Sequence, residues 1–360
     1  MADMFDYIQW RGDIPFSKMG VNPVDALVFS TLSYIDFEGI AADVPDGGVK
    51  LSDAAEMFLS QEELKNRIRV KSDINLLRAA ASSERFGKAR ITFYRKILDF
   101  EKETQFAAMT FLLNDGTAML TYRGTDFNLI GWKEDFNMTF QESIPAQEEA
   151  LRYLNEYAAK TNARMRLVGH SKGGNIAVYA AARADEKIQE RIIEVHNQDG
   201  PGFTESLMGN PGYIAMVPKI KTFIPQSSIV GMLLEHEEPY TVIKSKSIGA
   251  MQHDPYSWEV MGPDFIYLQE VTGQSKFVDK ALKTWLESMS KEERSRFADA
   301  VFDTLESSGA SRTWDLLKLK NIKSVIKEFS EDEEKRKIIT DELEDFAQIL
   351  KDSILAKQEE

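Results

Sequence analysis

Residues 164–182, which read RMRLVGHSKGGNIAVYAAA, decide the fold. The first five residues have the apolar content of a short strand, and good helix formers follow from Asn175. Between the two lies GHSKG at 169–173, which matches G-x-S-x-G. A serine on such a sharp strand-to-helix turn forms a nucleophile elbow, and the flanking glycines let strand and helix approach closely.

The G-x-S-x-G pattern is weak on its own, because glycine and serine are common enough for chance matches in a chain of this length. Its position between an apolar strand and an Ala-rich helix favours a nucleophile over a glycine-rich turn that only packs a helix onto a strand. We therefore predict that Ser171 is a nucleophile. The helix that begins after it would direct its N–H groups toward an anion.

The composition is that of a globular protein with a large core. Of 360 residues, 43% are hydrophobic and 28% are charged, and the formal net charge is −14. This charge argues against nucleic acid or an anionic membrane surface as an obligate partner. The sequence has no cysteine, which excludes disulfides, thiolate catalysis and zinc–thiolate sites.

The N-terminal sequence MADMFDYIQW has acidic residues where a signal peptide needs basic ones. No apolar run in the sequence approaches the roughly 20 residues that span a bilayer. We therefore expect a cytoplasmic protein without an integral membrane segment.

Apolar spacing predicts helices over residues 23–37 and in two segments of residues 51–81, with a capping pattern at 60–63. We interpret residues 1–90 as a helical cover on a sheet and as part of the main domain. From residue 274 the sequence becomes charged and amphipathic, with a capping box at 290–293. Residues 274–360 are therefore predicted to be a helical appendage, through which copies of the chain could form a homo-oligomer.

Residues 91–273 are predicted to form the core domain. The runs 106–113 and 117–122 flank Asn-Asp-Gly, which is a strong hairpin signal. A loop is expected from there to residue 145, followed by a helix over 147–160. Further strands are predicted over 191–197, 219–225 and 240–245. Alternating strands and helices favour an α/β fold with a mostly parallel, doubly wound sheet and antiparallel strands at one end.

A serine hydroxyl needs a base, and the chain has four histidines. His170 lies inside the elbow and is expected to point away from the hydroxyl. His196 lies in an apolar strand and suits a core position, and His236 lies among acidic residues and is expected to be solvated. His253 follows the last predicted strand through a loop, where this kind of fold places its base. We predict His253 as the base, with capping of its own loop as the alternative role.

The acid that orients the base is harder to identify. It usually follows the strand before the last one, but residues 225–228 contain no carboxylate, and Glu235 and Glu237 are the nearest acids downstream. Asp199 ends the preceding strand, where catalytic groups collect in open α/β sheets, and it preserves the order Ser, Asp, His. We predict Asp199 as the acid. Its place before Gly-Pro-Gly also suits a simple turn, and Glu235 stays open as the alternative acid.

An oxyanion hole needs two donors. One is expected to be the backbone N–H of Lys172, the residue after the nucleophile. The second is expected from the loop after an early strand, where Thr125 offers both a backbone N–H and a hydroxyl. The alternative is an ordinary loop in which Asp126 caps a turn.

The motifs resemble two known families. YRGTD at 122–126, followed by VGHSKGGN at 168–175, is similar to the class 3 lipases, which have an aromatic-Arg-Gly-Ser/Thr oxyanion loop and a G-H-S-x-G-G elbow. The match is closer to the Mbeg-like family of bacterial α/β-hydrolases, long known as a domain of unknown function. The residues that carry this resemblance lie at 25–27, 122–126, 169–175, 199–203, 225–231 and 252–255, and the resemblance covers roughly residues 4–270.

The resemblance implies an α/β-hydrolase fold and esterase- or lipase-like chemistry, with Ser171 and His253 in catalytic roles. At the acid position of the class 3 lipases this chain has Ser228. We expect a serine hydrolase that cleaves carboxylic esters, small or lipid-like, through an acyl-enzyme, with no cofactor and no metal.

Three further points stay open in the sequence. A thioesterase or acyltransferase would use the same residues, and a non-catalytic hydrolase fold used for binding or scaffolding is the alternative of another class. The apolar residues Phe127, Leu129, Trp132 and Phe136, and those at 230–234, either line an acyl pocket or belong to the core.

Overall fold

The computed structural model describes residues 1–126, 128–307 and 319–358. The helices of these residues are α1 (Met4–Arg11), α2 (Pro23–Leu32), α3 (Leu51–Leu59), α4 (Lys71–Ser82), α5 (Glu84–Gly87), α6 (Leu129–Asn137), α7 (Pro145–Lys160), α8 (Lys172–Arg183), α9 (Glu186–Gln189), α10 (Glu205–Met208), α11 (Pro211–Met216), α12 (Gly273–Ser288), α13 (Lys291–Glu306), α14 (Leu319–Glu331) and α15 (Glu333–Gln358). The strands are β1 (Val49–Lys50), β2 (Arg90–Asp99), β3 (Thr104–Leu112), β4 (Ala118–Tyr122), β5 (Met165–His170), β6 (Ile192–Gln198), β7 (Ile220–Pro225), β8 (Tyr240–Ile243), β9 (Val260–Met261), β10 (Asp264–Phe265) and β11 (Tyr267–Leu268).

The chain divides into two compact units. The first comprises Met1–Leu98, Phe106–Gly124 and Ala146–Thr272. The second comprises Asp99–Gln105, Thr125–Pro145 and Gly273–Glu360.

Nine described strands form one sheet in the order β1-β2-β3-β4-β5-β6-β7-β8-β11, and β9 pairs with β10 in a separate two-stranded sheet. Strands β4 to β8 are parallel to one another. The pairs β1–β2, β3–β4 and β8–β11 are antiparallel. This arrangement confirms the predicted α/β class, with a mostly parallel sheet that carries antiparallel strands at its ends.

The predicted hairpin is also confirmed. Strands β3 and β4 pair from Ala108 opposite Tyr122 to Leu112 opposite Ala118. Gly116 in the connecting turn has a φ of 82°, a backbone conformation that glycine adopts without steric cost. The strands expected at 164–168, 191–197, 219–225 and 240–245 correspond to β5, β6, β7 and β8.

The structure differs from the sequence-based expectations at three places, one of them a strand that was not predicted and two of them predictions that were wrong. The stretch Arg90–Asp99 forms strand β2, which the sequence analysis missed because charged residues interrupt the apolar pattern in its second half. Residues 126–145 are not a loop throughout, because α6 begins after Asn128, whose side chain accepts a hydrogen bond from Ile130 N. The capping pattern at 60–63 starts no α-helix, and only a 3₁₀ turn follows at Leu64–Asn66.

The N-terminal helices belong to the same hydrophobic core as the sheet. Helix α2 starts at an Asn22 cap with proline at its first turn, and its apolar residues are buried. The core of the first unit unites residues of this helix, such as Phe29, with Met109 and Phe111 of β3. The rings of Phe29 and Phe111 lie 4.7 Å apart, within the range of favourable aromatic pairs.

A buried ion pair anchors this N-terminal part. Asp25 and Arg85 are both fully buried, and Arg85 Nε donates to Asp25 Oδ1 over 2.7 Å. Arg85 Nη2 donates to Asp25 Oδ2, and the other three guanidinium protons go to the carbonyls of Ile14, Met19 and Gly20. The Tyr7 hydroxyl donates to the same carboxylate. Every charge in this cluster therefore has a partner, which a buried charge requires.

Replacement of Asp25 by alanine is expected to lower the free energy of unfolding by about 3–5 kcal/mol, because the Arg85 guanidinium would stay buried without its carboxylate. Equilibrium urea unfolding measures this change. The matched control is Lys88→Ala, which removes an exposed pair with Glu84 and is expected to cost less than about 1 kcal/mol. Equal effects of the two substitutions would contradict the assignment.

The second unit is built around helical residues. Helix α13 begins at Ser290 with the predicted capping box, which is confirmed. Its Phe297 joins a cluster with Trp285, Leu286 and Met289, against which Phe136 and Phe346 pack. The Trp285 indole N–H donates to the carbonyl of Glu342 over 3.0 Å. In the described part of the chain, no helix has both the length and the apolar content that a membrane crossing needs.

Candidate active site

Ser171 joins β5 to α8 in a backbone conformation of φ 60° and ψ −137°. A positive φ is strained for a residue that carries a Cβ, and such strain clusters at functional sites. The Ser171 N–H donates to the carbonyl of Gln198, the last residue of β6, and the Ser171 carbonyl accepts from Gly174 N. The Ser171 side chain makes no capping bond to the helix that it precedes.

The glycines around this turn are required for space. A Cβ on Gly169 would lie 2.0 Å from the carbonyl oxygen of Gly173, and one on Gly173 would lie 2.2 Å from that of Tyr122. A Cβ on Gly124, in the loop after β4, would lie 2.4 Å from the carbonyl oxygen of His170. The predicted close approach of strand and helix is therefore present, and the loop after β4 takes part in it.

His253 ends a 3₁₀ turn at Gly249–His253, in the connection that follows β8. Its Nδ1 lies 2.6 Å from Oδ2 of Asp199. A carboxylate only accepts hydrogen bonds, so Nδ1 carries the proton and Nε2 is left as the basic nitrogen. The Asp199 side chain is fully buried, whereas a quarter of the His253 side chain is exposed (26%).

Asp199 follows β6 directly and has a φ of 54°. Its N–H donates to the carbonyl of Phe223 in β7. Since the preceding residue, Gln198, holds the Ser171 N–H, Asp199 and Ser171 are fixed to each other through adjacent backbone bonds. The structure thus brings Ser171, Asp199 and His253 to the carboxyl ends of the parallel strands, where ligands bind in open α/β sheets.

The turn after β7 contacts both Asp199 and the loop of His253. Ser228 donates a short hydrogen bond to Asp199 Oδ1 and accepts one from Gly231 N at 2.9 Å. One residue earlier, Ser227 N donates to the side chain of Gln252, the neighbour of His253. Sequence reasoning noted Ser228 only as a departure from the class 3 lipases. The sequence carries no local signal for this contact, because Ser228 and Asp199 lie 29 positions apart in the chain.

The two predicted oxyanion donors differ in their surroundings. Lys172 is the first residue of α8 and is buried, as expected for the residue after the elbow serine. The hydroxyl of Thr125 donates to Asp135 Oδ1 over 2.8 Å. Because its proton is used in this bond, the backbone N–H is the candidate oxyanion donor of Thr125. Asp126 accepts a hydrogen bond from Asn128 N, which is the turn-capping role foreseen as the alternative for this loop.

The remaining histidines and acids have other surroundings. His196 is fully buried, as expected for a core histidine, and its Nε2 lies 3.2 Å from Glu194 Oε1. The expectation that His236 is solvated was wrong, because its ring nitrogens contact Glu238 Oε1 and the carbonyl of Gly231, each at 3.0 Å. Glu235, the alternative acid, is exposed and pairs with Phe203 through its backbone.

The residues considered for an acyl pocket have separate environments. Leu129 is buried, whereas Trp132 is 49% exposed and donates from its indole N–H to the Asp126 carbonyl. The rings of Phe136 and Phe297 lie 5.7 Å apart in the core of the second unit. Phe127 lies outside the described residues. No group of three or more potential metal ligands occurs in the described part of the chain.

A family model described as Mbeg1-like matches residues 80–303, more than half of the chain. The chain belongs to the Mbeg1-like family. Together with the elbow and the sheet order, this confirms the resemblance to that family and the predicted α/β-hydrolase fold. A search of curated proteins found no match to this Mbeg1-like protein.

Solved structures of lipases are similar to this Mbeg1-like protein at low identity. A mutant form of MDLA from Penicillium cyclopium has a TM-score of 0.41 and 16% identity, covering 68% of this chain and 83% of its own. A structure described as a fungal lipase has a TM-score of 0.40 and 12% identity, with 69% and 87% covered. The lipase of Rhizomucor miehei with its propeptide has a TM-score of 0.33 and 15% identity, with 49% and 70% covered.

Replacement of Gly173 by alanine is expected to destabilise the first unit by about 1–3 kcal/mol or more, because the new methyl group would overlap the Tyr122 carbonyl. Thermal unfolding followed by circular dichroism measures the change. The matched control is Gly209→Ala, where the nearest atom lies 3.7 Å from the new Cβ. If both variants kept the melting temperature of the parent protein, the packing argument for the elbow glycines would fail.

Proposed function

We propose that this protein is a serine hydrolase that cleaves carboxylic esters with small or lipid-like acyl groups. The observation that carries the proposal is the 2.6 Å contact between His253 Nδ1 and the buried carboxylate of Asp199, beside a serine in a strained elbow. This contact fixes the protonated nitrogen of the imidazole and leaves the other nitrogen basic.

In the proposed mechanism Ser171 Oγ attacks the ester carbonyl carbon while His253 Nε2 accepts the hydroxyl proton. Asp199 stays ionised and stabilises the imidazolium that forms. The negative oxygen of the tetrahedral intermediate is stabilised by the backbone N–H of Lys172. Collapse of the intermediate breaks the ester C–O bond, and the leaving alcohol takes the proton from His253. Water then attacks the acyl-enzyme by the same steps and releases the acid.

The dipole of α8 supports the same chemistry. The helix begins at Lys172, and its N-terminal end therefore lies directly after the nucleophile. Partial positive charge at a helix N-terminus stabilises an anion nearby, which favours the tetrahedral intermediate over the neutral ester. Strain in the Ser171 backbone is consistent with a site that is arranged before substrate binds.

Ser171→Ala is expected to abolish labelling by a fluorophosphonate probe and to lower kcat by several orders of magnitude, because the attacking hydroxyl is removed. Gel fluorescence after labelling and hydrolysis of p-nitrophenyl esters of increasing acyl length are the measurements. Ser60→Ala, which removes an exposed hydroxyl, is the matched control and should behave as the parent protein. A well-folded parent protein that is not labelled would favour the binding or scaffold alternative.

A second prediction concerns the acid. Asp199→Asn is expected to lower kcat/KM by about 10³–10⁴-fold, because the amide can present its NH₂ group to Nδ1 and select the wrong tautomer of His253. Ester hydrolysis measured across a pH series tests this expectation. Glu235→Gln is the comparison, and it should retain activity close to that of the parent. The reverse ranking of these two variants would overturn the choice of Asp199.

A further inference from the structure

A second histidine contacts the loop that carries His253. The Nε2 atom of His170 lies 2.8 Å from the carbonyl oxygen of His253. A carbonyl oxygen only accepts, so Nε2 of His170 carries a proton and donates it. The two imidazole rings are 4.6 Å apart and inclined by 34°. The residue before the nucleophile therefore contacts both the backbone and the ring of His253.

The other ring nitrogen of His170 faces the N-terminal part of the chain. Its Nδ1 lies 3.0 Å from the hydroxyl of Tyr34, which is also 3.4 Å from the His170 carbonyl oxygen. Tyr34 is buried, and it lies two residues beyond the end of α2. When Nε2 holds the ring proton, a neutral imidazole accepts at Nδ1, so the hydroxyl of Tyr34 donates to the nearer acceptor.

The surroundings of His170 favour the neutral ring. The side chain is almost completely buried. Burial is the main cause that lowers the pKa of His170 well below its ordinary value, and repulsion from the Arg69 guanidinium acts in the same direction. A charged ring at 4.6 Å would oppose the imidazolium that His253 forms during the reaction. A neutral neighbour with one fixed proton avoids that repulsion.

Further contacts hold the same loop from the N-terminal side. Arg69 lies over the ring of Tyr34 at 4.6 Å and pairs with Asp254, the residue after His253, at 3.3 Å. The Tyr256 hydroxyl donates to Asp73 over 2.7 Å. Asp254 and Tyr256 thus contact Arg69 and Asp73 directly. His253 contacts Tyr34 through His170.

We propose that His170 is a positioning residue, which donates from Nε2 to the backbone carbonyl of His253 while the Tyr34 hydroxyl of the N-terminal segment donates to its Nδ1. This inference rests on the proposed function for the role of His253, but the hydrogen bonds themselves do not depend on catalysis. It makes the N-terminal segment a part of the active site.

The first test is a long-range ¹H–¹⁵N spectrum of the full-length protein from pH 5 to 9. With four histidines in the chain, His170 can be assigned by comparison with His170→Gln. We expect His170 as the Nε2–H tautomer without titration across this range. An Nδ1–H tautomer or a charged His170 ring at neutral pH would overturn the proposal.

The second test removes the Tyr34 hydroxyl. Tyr34→Phe is expected to shift the Nδ1 resonance of His170, because that nitrogen loses its hydrogen bond, and to lower kcat/KM for p-nitrophenyl esters by about tenfold, since the base loop loses an anchor. The matched control is Tyr94→Phe, which removes a buried hydroxyl bonded to Asp36 and should change neither quantity. Identical spectra and rates for the two variants would contradict the role of Tyr34.

The third test separates positioning from packing. His170→Gln keeps an N–H donor near the place of Nε2, whereas His170→Met has a similar size and no donor. The glutamine variant should retain kcat/KM within about tenfold of the parent and the methionine variant should lose about a hundredfold, with equal melting temperatures. Equal losses in both would overturn the proposal. Absence of fluorophosphonate labelling in the parent protein would instead refute the hydrolase function, while the tautomer is still read from the spectrum.

Discussion

The site depends on a close approach of three backbone segments that leaves no room for side chains. Strand β5, the first turn of α8 and the loop after β4 meet where Gly169, Gly173 and Gly124 lie. Their separations are set by hydrogen bonds of the sheet and helix, so the turn between them must absorb the strain, and it does so at Ser171. Because these glycines have no Cβ, the three segments pack closely enough to place Ser171 at the carboxyl end of β5.

The position of Asp199, the proposed acid, follows from the same framework. Asp199 and Ser171 are attached to neighbouring strands, and the backbone bond from Ser171 to Gln198 sets their spacing. The turn after β7 supplies no carboxylate, but Ser228 donates to Asp199, and Gly231 leaves the space that the carboxylate occupies. A Cβ at Gly231 would lie 2.3 Å from Asp199 Oδ1. The turn after β7 therefore supports the Asp199 carboxylate, which follows the neighbouring strand β6.

Local patterns in the sequence were sufficient for the elbow, the hairpin and the parallel strands, because each depends on neighbouring residues. Strand β2 and helix α6 were not predicted from the sequence, because charged or loop-forming residues obscure the periodicity of their apolar residues. The burial of His236 could not be read from an acidic stretch, since its partner carbonyl and carboxylate become neighbours only after folding. The same holds for Tyr34 and His170, which are separated by 136 positions in the chain.

The location of His253 explains why the N-terminal residues matter. Sheet hydrogen bonds fix β5 and β6, but His253 lies in a connection made of short 3₁₀ turns, which have few internal hydrogen bonds. A base in such a segment needs anchors from elsewhere, and Tyr34, Arg69 and Asp73 provide them. The family match begins at residue 80, so these three anchors precede it. Residues of the N-terminal part, which the sequence analysis interprets as a helical cover, thus hold the loop of His253, the proposed base.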